Sequence, residues 1–313
     1  MSLRSIITNW NHRRLQIRLK GKQAAMARFW DRAIRDYYAG RLPKYRIEPK
    51  QDLGSQTIIW QYWGQGFSGD QPPLVVKYCL ETVERYRGDC RVIHLSDDTI
   101  SDYIDLPDFI REGLRDNPSL TRTFFSDLLR LALLEAYGGV WLDSTILLTR
   151  ELPQRYLDMD FFAYQLPDDQ PDKDFWSKTL WAVCCWDEDF LVRYHSAVLF
   201  AHRGSEIIST LLDLMLYYWS DPERRVTYYH FFHVLFYELV QIGPLRDQNC
   251  PIETYTDMES LMQVARGRWR DDFETPAELL KRIPIHKLTF KFPEVNDRLL
   301  KILSENQAIR LSK

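Results

Sequence analysis

No stretch of this chain has 18 consecutive uncharged apolar residues, so a membrane-spanning helix is not expected. The richest candidate, residues 228–242, is short and is broken by His230, His233 and Glu238. The apolar start at Leu3 is interrupted by Arg4 and is too short for a secretory leader. Cysteine is scarce. Five residues (Cys79, Cys90, Cys184, Cys185, Cys250) make an odd set without metal-ligand spacing, which reads as reduced thiols rather than a disulfide framework. Internal repeats and low-complexity segments are also missing. These absences leave a globular protein, and 313 residues suffice for a sizeable core.

Aromatic residues are abundant, with 10 Trp, 17 Tyr and 16 Phe. Rings at that density suit stacking on sugars or bases, though most must be core. The net charge of −3 hides an uneven distribution. Residues 1–50 carry thirteen Lys and Arg against three acids, so the remaining residues total −13. A basic segment with Ile6, Ile7, Trp10, Leu15, Ile17 and Leu19 can lie on an anionic membrane surface or pack as a solvated helix. No recognised motif accompanies this charge, so nucleic acid is not an expected partner. We therefore expect a basic helical segment over 1–50 and a main domain over 51–313.

After its basic start the chain alternates helix and strand. A helix is expected over 24–40, then a connector over 42–52. A buried strand over 57–60 follows, with residues 61–66 as the loop leaving it. A helix from Pro72 to about Tyr86, a strand at 91–95 and a short helix at 107–114 come next. Strands at 161–166 and 194–201 precede helical segments near 205–218, 227–241, 257–266 and 276–283. This alternation predicts an α/β sheet covered on both faces.

The stretch from Phe124 to Ile146 organises the rest. Leu128, Leu131, Leu134 and Leu129, Ala132, Ala136 place apolar side chains nearly all round a helix, so it is deeply buried. Gly138 and Gly139 stop it. Val140, Trp141 and Leu142 form a buried strand, and Asp143 follows at its carboxyl end, where open α/β sheets place ligands. Asp127 and Arg130 share one helix face. Inside an apolar helix they are either a structural ion pair or part of a site.

Three strings in order carry a resemblance: Ile58-Ile59-Trp60-Gln61-x-Trp63, Ser126-Asp127-x-x-Arg130, and Tyr137-Gly138-Gly139-Val140-Trp141-Leu142-Asp143. Together they resemble the bacterial capsular polysaccharide synthesis glycosyltransferases, relatives of glycosyltransferase family 32 and its DxD sugar-binding region. Ile285-His286-Lys287-Leu288-Thr289 extends the likeness more weakly. The resemblance implies a GT-A-type (Rossmann-like) mixed sheet with helical additions at both ends. It also implies a nucleotide-sugar donor, UDP-linked, and retaining transfer to a glycan or lipid-linked glycan of capsular or O-antigen type. The place of work would be the cytoplasmic face of the cell membrane.

By the same resemblance Asp127, Arg130 and Asp143 are the catalytic residues, with Asp127 and Arg130 holding sugar hydroxyls. Ser126 orients that pair. Trp60 and Trp63 flank the base, with Gln61 hydrogen-bonding beside them. A divalent cation, Mn or Mg, would sit on Asp143 and His286, with Lys287 on the diphosphate. Thr145 stands where the family has a second acid, which makes it a weaker ligand. Asp187, Glu188, Asp189 and His195 are candidates for the acceptor side, and His230 with His233 for a metal or a packed helix. The loss of the second motif acid also leaves room for a non-catalytic nucleotide-sugar binder, and the same acids could serve a sugar-phosphate transferase.

Overall fold

The computed structural model describes residues 3–68 and 70–308, with α1 side chains described at residue 15 and from 17 onward. In chain order the elements are α1 (Leu3–Tyr38), β1 (Ile58–Tyr62), α2 (Leu74–Arg85), β2 (Arg91–Leu95), α3 (Asp108–Asp116), α4 (Arg122–Tyr137), β3 (Gly139–Leu142) and β4 (Ile146–Leu148). They continue as α5 (Gln154–Leu157), β5 (Phe161–Gln165), α6 (Lys173–Thr179), β6 (Tyr194–Ala201), α7 (Glu206–Trp219) and α8 (Phe231–Phe236). The last are α9 (Thr256–Ala265), α10 (Pro276–Arg282), β7 (Ile285–Lys287) and α11 (Pro293–Glu305).

Five strands form one sheet in the order β2-β1-β3-β6-β5. β1 runs parallel to β2 and β3, whereas β6 is antiparallel to both β3 and β5. The fold is thus α/β, as the alternation predicts, with the mixed sheet flanked by helices that the resemblance implies. β4 and β7 form a separate two-stranded antiparallel sheet, pairing Ile146 with Lys287 and Leu148 with Ile285. This small sheet brings residue 287 back beside residue 143.

The central helix is buried as its pattern requires. Leu128, Leu129, Leu131, Ala132, Leu133 and Leu134 are all fully covered. Gly138, at φ 71°, caps it and its N–H reaches the Leu134 carbonyl at 2.8 Å. Gly139 is a steric requirement: a Cβ there would lie 2.3 Å from the Ile58 carbonyl of the neighbouring strand. All five cysteines are free, buried thiols.

The boundary expected at residue 50 does not separate two cores. Met26, Trp30, Ala33, Ile34 and Tyr37 of α1 belong to the same apolar cluster as β1, β3 and α4. Trp30 is fully buried, and its indole N–H donates to the Phe231 carbonyl at 2.8 Å. Gln23 is buried too, donating to Tyr228 Oη at 2.9 Å and accepting from the Leu191 N–H at 2.7 Å. Trp30 is therefore core, and Phe29 packs half-buried against Tyr217 and Tyr218. Neither ring is available to an interface. Ile6, Ile7 and Trp10 lie outside the described side chains. Leu15 and Ile17 are exposed.

Two outcomes test this arrangement. Trp30→Ala should destabilise the fold by about 3–5 kcal/mol in urea titrations, the cost of emptying a buried Trp site. A chain beginning at Gln51 should fail to give a cooperative melt, whereas an independent body would melt as the whole protein does.

Candidate active site

A cleft of about 510 Å³ opens at the carboxyl ends of β1 and β3. Tyr62, Trp63 and Gly64 line one side, Trp141, Asp143, Ser144 and Thr145 the floor, and Lys287 to Phe292 the opposite wall. Asp143 is delivered there because β3 ends at Leu142, and its N–H is fixed to the Ala197 carbonyl of β6 at 2.9 Å. Ser144 Oγ donates to the Tyr62 carbonyl at 2.6 Å, tying the two strand ends together. The Thr145 carbonyl accepts from Leu288 N–H at 2.9 Å, which locks the other wall in place.

Asp143 is the hub of a four-membered charge network. Its Oδ2 accepts from Lys287 Nζ at 2.9 Å. Its Oδ1 accepts from Trp141 Nε1 at 2.9 Å and from Arg130 Nη2 at 3.4 Å. Arg130 Nη1 lies 2.7 Å from Asp127 Oδ1, an ion pair along one face of α4. Arg130 also donates to Ser126 Oγ at 3.3 Å and sits with its guanidinium 5.3 Å from the Trp141 ring centre. Lys287 Nζ donates in addition to Thr145 Oγ1 at 2.6 Å.

Burial is graded through this network. The Arg130 side chain is 4% exposed, Asp127 11%, Asp143 25% and Lys287 22%. Burial opposes the ionisation of Asp143, but Lys287, Arg130 and the Trp141 N–H outweigh it and hold the carboxyl at about 2. Asp127 has the opposite balance. Burial pushes it up to about 6, the Arg130 charge offsets only part of this, and the Asp143 charge adds to it.

The sequence-predicted residues divide into three groups. Asp143, Thr145, Lys287, Trp63 and Ser126 all line the cleft. Trp63 is half-buried, held by a 3.1 Å bond to Gln71 Oε1 and edge-on to Phe290 at 5.1 Å. Asp127 and Arg130 do not line it. Arg130 is buried against Trp141 and bonded to Asp143, with Asp127 paired to it from behind.

Trp60, Gln61 and His286 are corrections. Strand β1 continues to Tyr62, so Gln61 joins Trp60 in the strand instead of leaving in the loop. Trp60 is fully buried against Tyr103 and Tyr137, with its N–H on the Gly138 carbonyl at 3.0 Å. Gln61 is fully buried, its Oε1 3.2 Å from His94 Nε2. His286 is fully buried on strand β7, where alternation turns it away from its neighbour Lys287. Burial drives its pKa down to about 3. It cannot share a metal with Asp143.

The acceptor-side candidates also move. Asp187 and Asp189 both pair with Lys20 of α1 at 2.6 Å, and this surface contact anchors the helix. Glu188 is exposed. His195 stands 3.5 Å from Glu259, which does line the cleft. His230 and His233 pack ring to ring, 5.1 Å apart, among Tyr228, Tyr229 and Tyr194. Burial lowers both, His230 to about 4. They are helix packing.

Several lining residues escaped the sequence reading. Arg122, Tyr229, Glu259, Arg266, Phe290 and Lys291 all face the cleft. The run Lys287-Leu288-Thr289-Phe290-Lys291-Phe292 combines two lysines with two phenylalanines, a readable signal. Glu259 and Arg266 come from and just beyond α9, and nothing in their neighbours marks them. Gly64 is held by close approach, since a Cβ would lie 2.7 Å from Asp97 Oδ1 and 2.8 Å from Arg122 Cδ. Asp97 in turn accepts from Tyr62 Oη and from Arg122 Nε, the latter at 2.8 Å.

The expected divalent cation finds a poor donor set. Asp143 is the one acid of the motif, and both its oxygens already accept from N–H donors. Thr145 Oγ1 accepts from the Lys287 ammonium. Among the described residues no three His, Cys, Asp or Glu side chains converge. These residues fit a Mn or Mg ion poorly, because the single carboxylate on offer is already engaged by two cations and an indole N–H.

Comparison with known proteins now bears on the chain as a whole. Residues 13–304 match the family described as capsular polysaccharide synthesis protein. The chain belongs to that family. The O-glycosyltransferase braB of Annulohypoxylon truncatum is 29% identical over 115 residues, which is 34% of this chain. The match spans about a quarter of that protein's length (27%). The solved PaToxG glycosyltransferase aligns over 91% of this chain and 97% of its own, at 15% identity and a TM-score of 0.33.

The opposed shifts of the two acids give a measurable pH signature. In the unfolded chain Asp127 titrates near 3.8 and in the fold near 6, so the folded state takes up its proton first. Its contribution to stability therefore rises as pH falls from about 6 to about 4, by up to about 3 kcal/mol. Asp143 acts oppositely, and its contribution is lost as pH falls from about 4 to about 2. Urea denaturation of wild type and Asp127→Asn at pH 7 and pH 4 should show the wild type gaining on the variant at the lower pH. A constant difference would mean that Asp127 titrates normally.

Proposed function

We propose that this protein is a glycosyltransferase that moves a sugar from a nucleotide-sugar donor, UDP-linked, to a growing surface polysaccharide or its lipid-linked precursor, with retention of configuration. The observation that carries the reading is Asp143, kept ionised on the floor of an open cleft with the Lys287 ammonium at its side. A sugar nucleotide presents a flat base, a dianionic diphosphate and a ring of hydroxyls, and each has a counterpart here. Trp63 and Phe290 offer aromatic surface for the base. Lys287, Arg122, Arg266 and Lys291 outnumber Asp143 and Glu259 in the lining, so the cleft favours an anion. Asp143 accepts from sugar hydroxyls, a charge-assisted bond.

The chemistry follows from that placement. Transfer leaves negative charge on the departing diphosphate, and fixed cations stabilise such charge most when they need not reorganise. Arg130 and Asp127 contribute by holding Asp143 in one orientation from behind. Family membership and the partial likeness to an O-glycosyltransferase support the transferase reading, while the donor and acceptor are read from the cleft and the resemblance.

We place the protein at the cytoplasmic face of the membrane, where lipid-linked acceptors are met. Among the described residues no helix is long and apolar enough to cross a bilayer. Leu15 and Ile17 are exposed on α1 beside Arg18 and Lys22, and a basic amphipathic surface of this kind binds anionic headgroups. The full chain should sediment with vesicles containing phosphatidylglycerol at low salt and be released at high salt. A chain starting at Leu19, which keeps the packed part of α1, should stay in the supernatant; equal sedimentation would place any membrane contact elsewhere.

The catalytic assignment has its own check. Asp143→Asn should keep the fold and lose transfer, measured as release of nucleoside diphosphate in the presence of acceptor glycan. Trp63→Ala should weaken uridine diphosphate binding by about 1–3 kcal/mol. Normal turnover in the first variant would remove Asp143 from the mechanism.

A further inference from the structure

A divalent cation in a site with two motif acids would be held by carboxylate oxygens and would supply positive charge to the diphosphate. Here the corresponding place is filled by the chain itself. Lys287 Nζ lies between the two motif side chains, 2.9 Å from Asp143 Oδ2 and 2.6 Å from Thr145 Oγ1. We propose that the Lys287 ammonium is the cation of this site, and that the protein binds its nucleoside diphosphate and supports its departure without a divalent metal. The inference rests on the nucleotide-sugar reading above and adds to it the identity of the charge that meets the diphosphate.

Three observations carry it. The first is chemical complementarity within the motif. A threonine hydroxyl in place of the second carboxylate removes a charge that would favour a divalent ion, and the monovalent ammonium matches the single carboxylate that remains. The second is that no other group makes up the deficit. Among the described residues, His286 faces away into the core, Glu259 stands 3.5 Å from His195, and Asp143 already accepts from three N–H donors. The third is placement. Lys287 is fixed by backbone pairing, opposite Ile146 in the β4–β7 ladder, and Leu288 N–H is bonded to the Thr145 carbonyl at 2.9 Å. An ammonium has three N–H donors. Two are used on Asp143 and Thr145, and the third is left for a phosphate oxygen in the cleft that the side chain partly lines.

The step balances without a metal. The bond between the sugar anomeric carbon and the diphosphate oxygen breaks, and its electron pair stays on that oxygen. The acceptor hydroxyl oxygen forms the new bond to the anomeric carbon, and its proton ends on the leaving phosphate. Lys287 keeps all its protons and supplies only charge and one hydrogen bond, with Arg122, Arg266 and Lys291 around it.

Titration calorimetry of the full chain with uridine diphosphate, in excess EDTA and in manganese chloride, tests this directly. The wild type should bind with the same affinity in both. Lys287→Ala should bind about 10- to 100-fold more weakly in both, the loss expected for one charge-assisted hydrogen bond. Thr145→Asp combined with Lys287→Ala should recover binding only with manganese, because it restores two carboxylates around an emptied cation position. Wild-type binding that requires manganese would overturn the proposal, as would Lys287→Ala binding at full strength. If Lys287→Ala lacks a cooperative melt, the wild-type comparison decides alone. A folded wild type that binds uridine diphosphate in neither condition would instead defeat the nucleotide-diphosphate reading on which the proposal stands.

Discussion

A buried guanidinium is the constraint around which this structure is arranged. Arg130 sits in the middle of a deeply covered helix, and an unpaired charge there would cost several kcal/mol. Asp127, one turn earlier, supplies a partner that is itself destabilised by burial and titrates near 6. The second partner has to come from elsewhere in the chain. Asp143 arrives after the glycine pair reverses the chain and β3 carries it back across the sheet. Asp143 then needs balance on its outer side, which Lys287 provides from a strand 144 residues further on. The small β4–β7 sheet is the backbone device that makes this last contact possible.

Much of this was legible because local signals agreed. The apolar girdle of α4, the glycine stop, the short β3 and the acid after it all form as the residues dictate, and the helix-covered α/β sheet follows from the alternation of elements. The errors cluster at an element boundary. Ending β1 at Trp60 instead of Tyr62 turned buried Gln61 and Tyr62 into loop residues, and the resemblance then put Trp60 and Gln61 at a base site. Trp63, three positions on, is where the chain leaves the sheet and reaches the cleft. A similar limit applies at β7. Neighbours on a strand face opposite ways, so His286 and Lys287 could not both reach Asp143, and only packing decides which one does.

The amino-terminal helix shows why charge counts alone misplace a boundary. Its basic residues suggested a separate surface segment, but its buried face carries Gln23, Met26, Trp30, Ile34 and Tyr37. That periodicity is weak in the sequence because polar Gln23 takes a core position, where it is satisfied by Tyr228 and the Leu191 amide. The acids at 187 and 189, read first as an acceptor loop, are the surface counterpart of the same packing through Lys20. α11 also went unread, although Pro293 at its first turn and Val295, Leu299 and Leu303 at helical spacing mark it clearly. It closes the second apolar cluster behind the cleft wall with Leu288, Leu261 and Leu147.

The order of burial in the charge network bears on how the site works. The Arg130–Asp127 pair is the buried part, and Asp143 with Lys287 the partly exposed part beside the cleft. Each charge is oriented by the one behind it, so the outermost does not depend on solvent for its position. An ammonium on a flexible stem in open water would lose rotamer freedom of about 2 kcal/mol on meeting a phosphate. Held by Asp143 and Thr145, Lys287 has already lost much of that freedom in folding. The entropy is spent when the β4–β7 sheet forms rather than when the ligand arrives. A site built this way gains pre-organisation from the same ion pairs that make burial of Arg130 tolerable, which is why its structural and ligand-facing charges cannot be separated into two sets.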